Sequence, residues 1–283
     1  MARPLKFSSN LMVPLCSALL CSALVLFLPV NVLGQTTPAP ISNPNAVNLA
    51  NQSLRALAGL TPLADITLQA SATYIAGSDE ETGSAVLVAL GNQQSLVTLS
   101  LTNGQRQEIR SGPAGEWMEP GGTWNAMASF NCWVDASWFF PAMTLQALQT
   151  DPTLGVAYLG TTEWNGVAAI HLQFFRAVPG QTSDTTTQIQ NLSTDDVFLD
   201  PGSLLPLALD FSLHPDNNVN QNIPVEVQFG GYHSVGGVQV PSRIQKLLQG
   251  TLTLDLAVTQ ATINSGVSPS TFTITALPTG GAQ

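Results

Sequence analysis

Charge is scarce in this 283-residue chain, and positive charge is the scarcer sign. Only 9% of residues are charged, with eight Lys+Arg against 18 Asp+Glu. All the acidic residues but only six of the basic ones follow residue 34, so that part carries a formal charge of −12. Such a surface repels phosphate backbones and anionic headgroups, which argues against a nucleic-acid binder. Cysteine is almost missing. Cys16 and Cys21 fall in an N-terminal apolar run, and Cys132 stands alone beyond it. A lone cysteine closes no internal disulfide, so the fold must rest on its core. The three histidines, His171, His214 and His233, are far apart, with no HxH, HExxH or Cys-x-x-Cys spacing. The sequence therefore calls for no metal and no cofactor. No Gly-x-Ser-x-Gly elbow supports a Ser-His-Asp triad.

What the chain does have begins with a leader pattern. Arg3 and Lys6 precede a mostly apolar run, Leu11 to Leu33, and Val32 and Gly34 suit a signal-peptidase site. Residues 1–34 read as a signal peptide cut before Gln35, with an uncleaved membrane anchor as the alternative. Export to the periplasm or the extracellular space follows. Residues 35–46, QTTPAPISNPNA, read as a flexible spacer, and residues 277–283 as a disordered tail. Between them, 47–276 read as one domain. Val47, Leu49, Leu54, Leu57 and Leu60 recur at helical spacing, with Gly59 as the cap and Pro62 beyond it.

From Ile66 the apolar period becomes two. ITLQASATYIAG, TGSAVLVALG, SLVTLSLTNG and QRQEIRSG predict an antiparallel meander of about four strands, with a hairpin at Asn103-Gly104. An aromatic-rich insertion, 115–150, holds four of the five tryptophans and ends in a helix predicted between Pro141 and Pro152. Strands resume with a hairpin at Asn165-Gly166. PGQTSDTTTQ reads as a polar loop, Asp200-Pro201-Gly202-Ser203 as a tight turn, and three more strands close the chain. Strands without intervening helices give an α+β, mainly antiparallel class.

The order of these elements resembles the LolA/LolB-like family of periplasmic lipoprotein carriers. The resemblance rests on the early helix before a meander, the LGTTEWNGVAAIHLQF hairpin, VFLDPGSLLPLALDF, FGGYHSVGGVQVPSRI and the ending VTQATINSGVSPSTF. It spans Leu49 to Phe272 and is nearest to exported members of that general shape rather than to the sorting factors. It implies a strongly curved, half-open β-barrel with helices closing one mouth and an apolar cavity for acyl chains. Those carriers depend on a cavity arginine. Arg106 and Arg110 lie in a strand of the corresponding part of the sheet, and the resemblance assigns that role to neither.

On this reading Trp117, Trp124, Phe130, Trp133, Trp138, Phe139 and Phe140 are candidates for the lining or lid of a cavity, or for the insertion's own core. The first expectation is a non-catalytic, monomeric exported protein that binds a lipid, an acyl chain or another apolar small molecule, with an envelope protein as a further partner. Glu116 and Glu119 beside Trp117 support a second reading, a carbohydrate-binding or glycoside-hydrolysing protein. A third is an envelope structural module without a small ligand. Cys132, in FNCWV, reads as a buried, inert thiol. In YHSVGGVQVPSRI, Gly236-Gly237 predicts a turn, with His233 and Arg243 near opposite ends of one hairpin.

Overall fold

A computed structural model describes residues 42–275. The expected signal segment 1–34, most of the spacer and the tail 277–283 lie outside them. Helix α1 (Pro44–Ala58) starts three residues before the expected Val47. Asn43 caps it, accepting from the backbone N–H groups of Asn45 and Ala46, and Pro44 takes a first-turn position that needs no donor. Gly59, at φ 60°, ends it. The buried stripe is Ala46, Ala50, Ser53, Leu54, Leu57 and Ala58, so Leu60, past the cap, is left to solvent.

The first run of strands is β1 (Asp65–Ala76), β2 (Asp79–Leu90), β3 (Gln94–Leu101), β4 (Gly104–Ser111), β5 (Ala114–Met118) and the short β6 (Trp124–Ala126). A 3₁₀ turn (Ser129–Cys132) and α2 (Ala142–Ala147) follow. Then come β7 (Leu154–Trp164), β8 (Val167–Arg176), α3 (Ser183–Leu192), β9 (Asp195–Leu199), β10 (Pro206–Leu213) and β11 (Ile223–Gly230). The chain ends with a hairpin, β12 (His233–Val235) and β13 (Val238–Val240), then β14 (Arg243–Leu248) and β15 (Thr251–Ile263).

Among the described residues, thirteen strands form one antiparallel sheet in the order β6-β5-β4-β3-β2-β1-β15-β14-β11-β10-β9-β8-β7. The last long strand, β15, pairs with the first, β1, and joins the two halves of the sheet. The edges β6 and β7 do not meet, so the curved sheet is an open half-barrel. Part of β7's edge is covered by the entering chain: Asn43 donates to Val156 O, and Val156 donates to Ser42 Oγ. Such cover protects an edge from stray pairing.

Alternation explains the core. Ile66, Leu68, Leu87, Val97, Leu99, Leu172, Phe174, Val197, Leu209, Val225, Val227, Ile244 and Leu256 face one side and meet Leu54 and Leu57 of α1 and Met143 and Leu145 of α2. Helices α1 and α2 therefore fill part of the concave face. A small second cluster, Val88, Ile109 and Phe272, lies elsewhere. It belongs to the opposite strand face, covered by the C-terminal segment.

Two expectations change. PGQTSDTTTQ is not all loop, because α3 begins inside it at Ser183 with Thr182 as N-cap. Only Ile189 and Leu192 of α3 are buried, too few to show a helical period, and three consecutive threonines are weak helix formers. GVQVPSRIQKLL, one of the three closing strands expected from the sequence with Pro241 at a bulge or sheet edge, is also not one strand. It breaks at Pro241 into β13 and β14, since proline cannot donate to a ladder. Gly236 and Gly237 have φ of 59° and 88°, as a primed hairpin turn requires.

Candidate ligand-binding site

The concave face leaves a cavity of about 540 Å³. Its walls are Val97 and Leu99 from β3, Tyr74 from β1, Leu254 from β15, Trp117 from β5, and Trp138. A smaller chamber of about 190 Å³ adjoins it, sharing Glu108, Trp117, Trp138, Leu213 and Lys246. Trp117 and Leu248, which line this space, are exposed large apolar groups.

One wall is charged. Arg106, Glu108 and Arg110 alternate along β4 opposite Leu99, Val97 and Ser95, so all three share a face. Two of them are already engaged. Arg106 makes a bidentate pair with Glu81 at 2.9 and 2.8 Å and lies over the Tyr74 ring. That pair holds the Glu81 carboxyl below its ordinary range. Arg110 is buried and donates to the carbonyls of Asn131, Val134 and Asp135. Facing them is Lys246, with Nζ 4.5 Å from the centre of the Trp138 ring.

The aromatic candidates scatter. Trp138 and Trp117 line the cavity. Phe139 and Phe140 are fully buried in the core beside α2. Trp124 packs against the Val88–Ile109–Phe272 cluster. Phe130 meets His214 edge-on, and Trp133 lines a separate hollow of about 240 Å³. Sequence reasoning missed Lys246. The signal was there: in IQKLL it takes a core-facing position two residues from Ile244 and two from Leu248.

The segment carrying these aromatics is held by a buried polar network. Arg176 donates to Asp135 at 2.9 Å and to Asp151 at 2.6 Å. The Asp135 N–H donates to Asp195, and Asn92 donates to Asp135. Asn131 and His214 exchange two hydrogen bonds. The network draws on both halves of the sheet, Arg110 and Asn92 from one, Arg176, Asp195 and His214 from the other. Burial, then the charge of Asp135, pushes the Asp195 carboxyl well above its usual range.

The other candidate chemistry is dispersed. Glu116 is 1% exposed and accepts from the Thr275 N–H and hydroxyl, whereas Glu119 is exposed beside the concave cavity. The two carboxylates do not share a cleft as an acid–base pair would. His171 bonds Asp196 at 2.7 Å and stacks on Phe198. His233 is exposed on β12, and Arg243 pairs with Asp255 rather than with it. Cys132 is buried, and burial pushes its thiol up. A thiol reagent such as dithionitrobenzoate is expected to leave it unmodified in the folded protein and to react once denaturant is added. Rapid labelling without denaturant would contradict that placement.

A second cavity, about 700 Å³ and mainly polar, lies between α3 and strands β8 to β11. Gln173, Asp196, Asp210 and Glu226 stand directly across from one another on successive strands there. Burial, then the charges of Glu226 and Asp196, pushes Asp210 up to about 7.

Among solved structures the fold has several likenesses. A LolA superfamily protein from Nitrosomonas europaea is 11% identical, with a TM-score of 0.48, covering 81% of this chain and 97% of its own. A DUF1329 family protein from Desulfovibrio piger gives 11% identity and a TM-score of 0.49, over 81% and 96%. A domain assigned to outer membrane lipoprotein sorting from Vibrio parahaemolyticus gives 11% and 0.48, over 80% and 95%. At such identity the likeness is one of fold. No protein-family model and no curated protein matches the chain.

Proposed function

We propose that this LolA-like half-barrel is an exported, non-catalytic binding protein that holds an apolar or amphipathic molecule in its concave cavity. The observation that carries the reading is the cavity itself. About 540 Å³ lies within the ~300–1,000 Å³ typical of small-molecule sites. Its wall joins Val97, Leu99, Leu254, Trp117 and Trp138 to a few charged groups, the mix that buries a ligand and orients it. Among the described residues no helix is long and apolar enough to cross a membrane. Delivery to or from a membrane would then rest on ligand exchange at the mouth and on the N-terminal segment.

Titration with a fluorescent long-chain fatty acid tests this. Saturable binding is expected for the full chain. Leu99→Trp, which fills the cavity from its wall, is expected to weaken binding by at least about tenfold, the effect of losing ~1.4 kcal/mol. Circular dichroism should show the sheet retained. Absence of saturable binding, or binding untouched by a folded Leu99→Trp variant, would remove the reading. Mass spectrometry of protein purified from its host reports any accompanying lipid, and also whether residues 1–34 are removed.

A further inference from the structure

Lys246 stands where the half-barrel should carry an aliphatic residue. Its cross-strand neighbours are Val227 on β11 and Leu254 on β15, both buried core residues, and Ile244 on the same strand face is fully buried. Among the described residues the other inward-turned basic side chains each have acceptors, though the Nε of Arg110 has none. Arg106 has Glu81, Arg176 has Asp135 and Asp151, and Arg110 has three carbonyls. Among the described residues no carboxylate lies within ion-pair distance of Lys246, and its contact is the Trp138 ring. Glu108 acts on it from a distance, and Arg110 opposes that effect. Asp216, which lines the smaller chamber, is exposed. Burial lowers the amine's proton affinity, the sign of a charged form that lacks compensation. The side chain is half-buried, so its ammonium donors turn into the open cavity, where an acceptor carried by a bound molecule would meet them.

We propose that the missing acceptor comes from the ligand: the cavity takes a single-chain amphiphile that ends in a carboxylate, and Lys246 binds that carboxylate. Lys246 lines both chambers, with Trp138 beneath it. The acid group therefore sits at their junction. The chain runs into the larger chamber along Val97, Leu99 and Leu254. The volume suits one chain. This inference rests on the binding-protein reading and adds the headgroup to it.

The test compares three probes of one chain length against the full-length protein: a long-chain fatty acid, its methyl ester and the corresponding lysophosphatidate. The acid is expected to bind about tenfold tighter than the ester, as hydrogen bonds to a charged partner allow. In Lys246→Met, which keeps the stem over Trp138, the acid should fall to the level of the ester while ester binding persists. Lys246→Arg should restore most of the preference. An unchanged acid-to-ester ratio in a folded Lys246→Met variant would overturn the headgroup assignment and leave the cavity reading standing. Lysophosphatidate binding more tightly than the acid would overturn the carboxylate in favour of a phosphate. Loss of saturable binding for all three probes to the parent protein would remove both readings together.

Discussion

Arg176→Met is expected to destabilise the protein by about 3–5 kcal/mol, the range for removing one partner of a buried ion pair. The arginine and Asp135 side chains are 9% and 1% exposed, so their charges have little water to fall back on. Methionine fills much of the same volume, and the backbone bond from residue 176 N–H to Ser193 Oγ stays available. The loss is therefore mainly electrostatic. Among the described residues Asp135 would keep only Asn92 as a side-chain donor, and Asp195 would lose a nearby positive charge. Asp151 would suffer less, because Thr153 still donates to it. Arg243→Met supplies the contrast. Its pair with Asp255 has equally short bonds, but the arginine side chain is 58% exposed. Exposed pairs contribute little, so that variant should unfold close to the parent. Urea unfolding of both variants checks the prediction. Equal midpoints for Arg176→Met and the parent would mean that the network is not what fastens the aromatic segment across the sheet. Adding Asp135→Asn to Arg176→Met should recover part of the loss, since it removes the stranded charge.

The strand order was legible because nearly every strand alternates and ends on a recognisable turn. Asn165 and Gly166 adopt φ of 46° and 82° between β7 and β8, as their dipeptide foretold. Asp200 folds back on the N–H groups of Gly202 and Ser203 in the turn its sequence announced. Legibility failed where long-range packing decides. Nothing local marks Glu116 as the anchor of Thr275, 159 residues away. Nor does local pattern separate Trp138, which lines the cavity, from Phe139 and Phe140, which the core absorbs. Tryptophan density suggested a lid, but half of the site comes from β3, β4, β14 and β15. There the informative residue was a lysine in an apolar register, visible only once the alternation of β14 is followed through it. The network of Arg110, Asp135, Arg176 and Asp195 was also hidden, since its members come from four separate places in the sequence.

Asp210→Asn is expected to stabilise the protein by about 2 kcal/mol at pH 7 and to leave it unchanged near pH 4. Asp210 lies directly opposite Asp196 on one side and Glu226 on the other. Like charges facing each other across strands are unfavourable. The outer two have relief: His171 and Gln173 reach Asp196, and Gln228 donates to Glu226. Among the described residues the buried Oδ1 of Asp210 has no such partner. Burial first, then Glu226 and Asp196, raises this carboxyl from 3.8 to about 7. The native state thus holds a proton that the unfolded chain releases. For this group stability is greatest below pH ~4 and is lost as pH climbs toward 7. The whole interval corresponds to about 4 kcal/mol. The solvent-facing side of the polar cavity screens part of it, leaving about 2 kcal/mol. Asparagine has no proton to lose, and its amide can donate to either neighbouring carboxylate. The variant's unfolding free energy should therefore fall less steeply between pH 4 and 7. Asp195, raised in the same direction, supplies the decline that remains. Below pH ~4 both proteins should weaken alike, because Asp65, Asp151 and Asp200 all have lowered values and lose their bonds there. Urea unfolding at pH 4, 5.5 and 7 measures the difference. Parallel pH profiles for parent and variant would show that the carboxylate row carries no such strain.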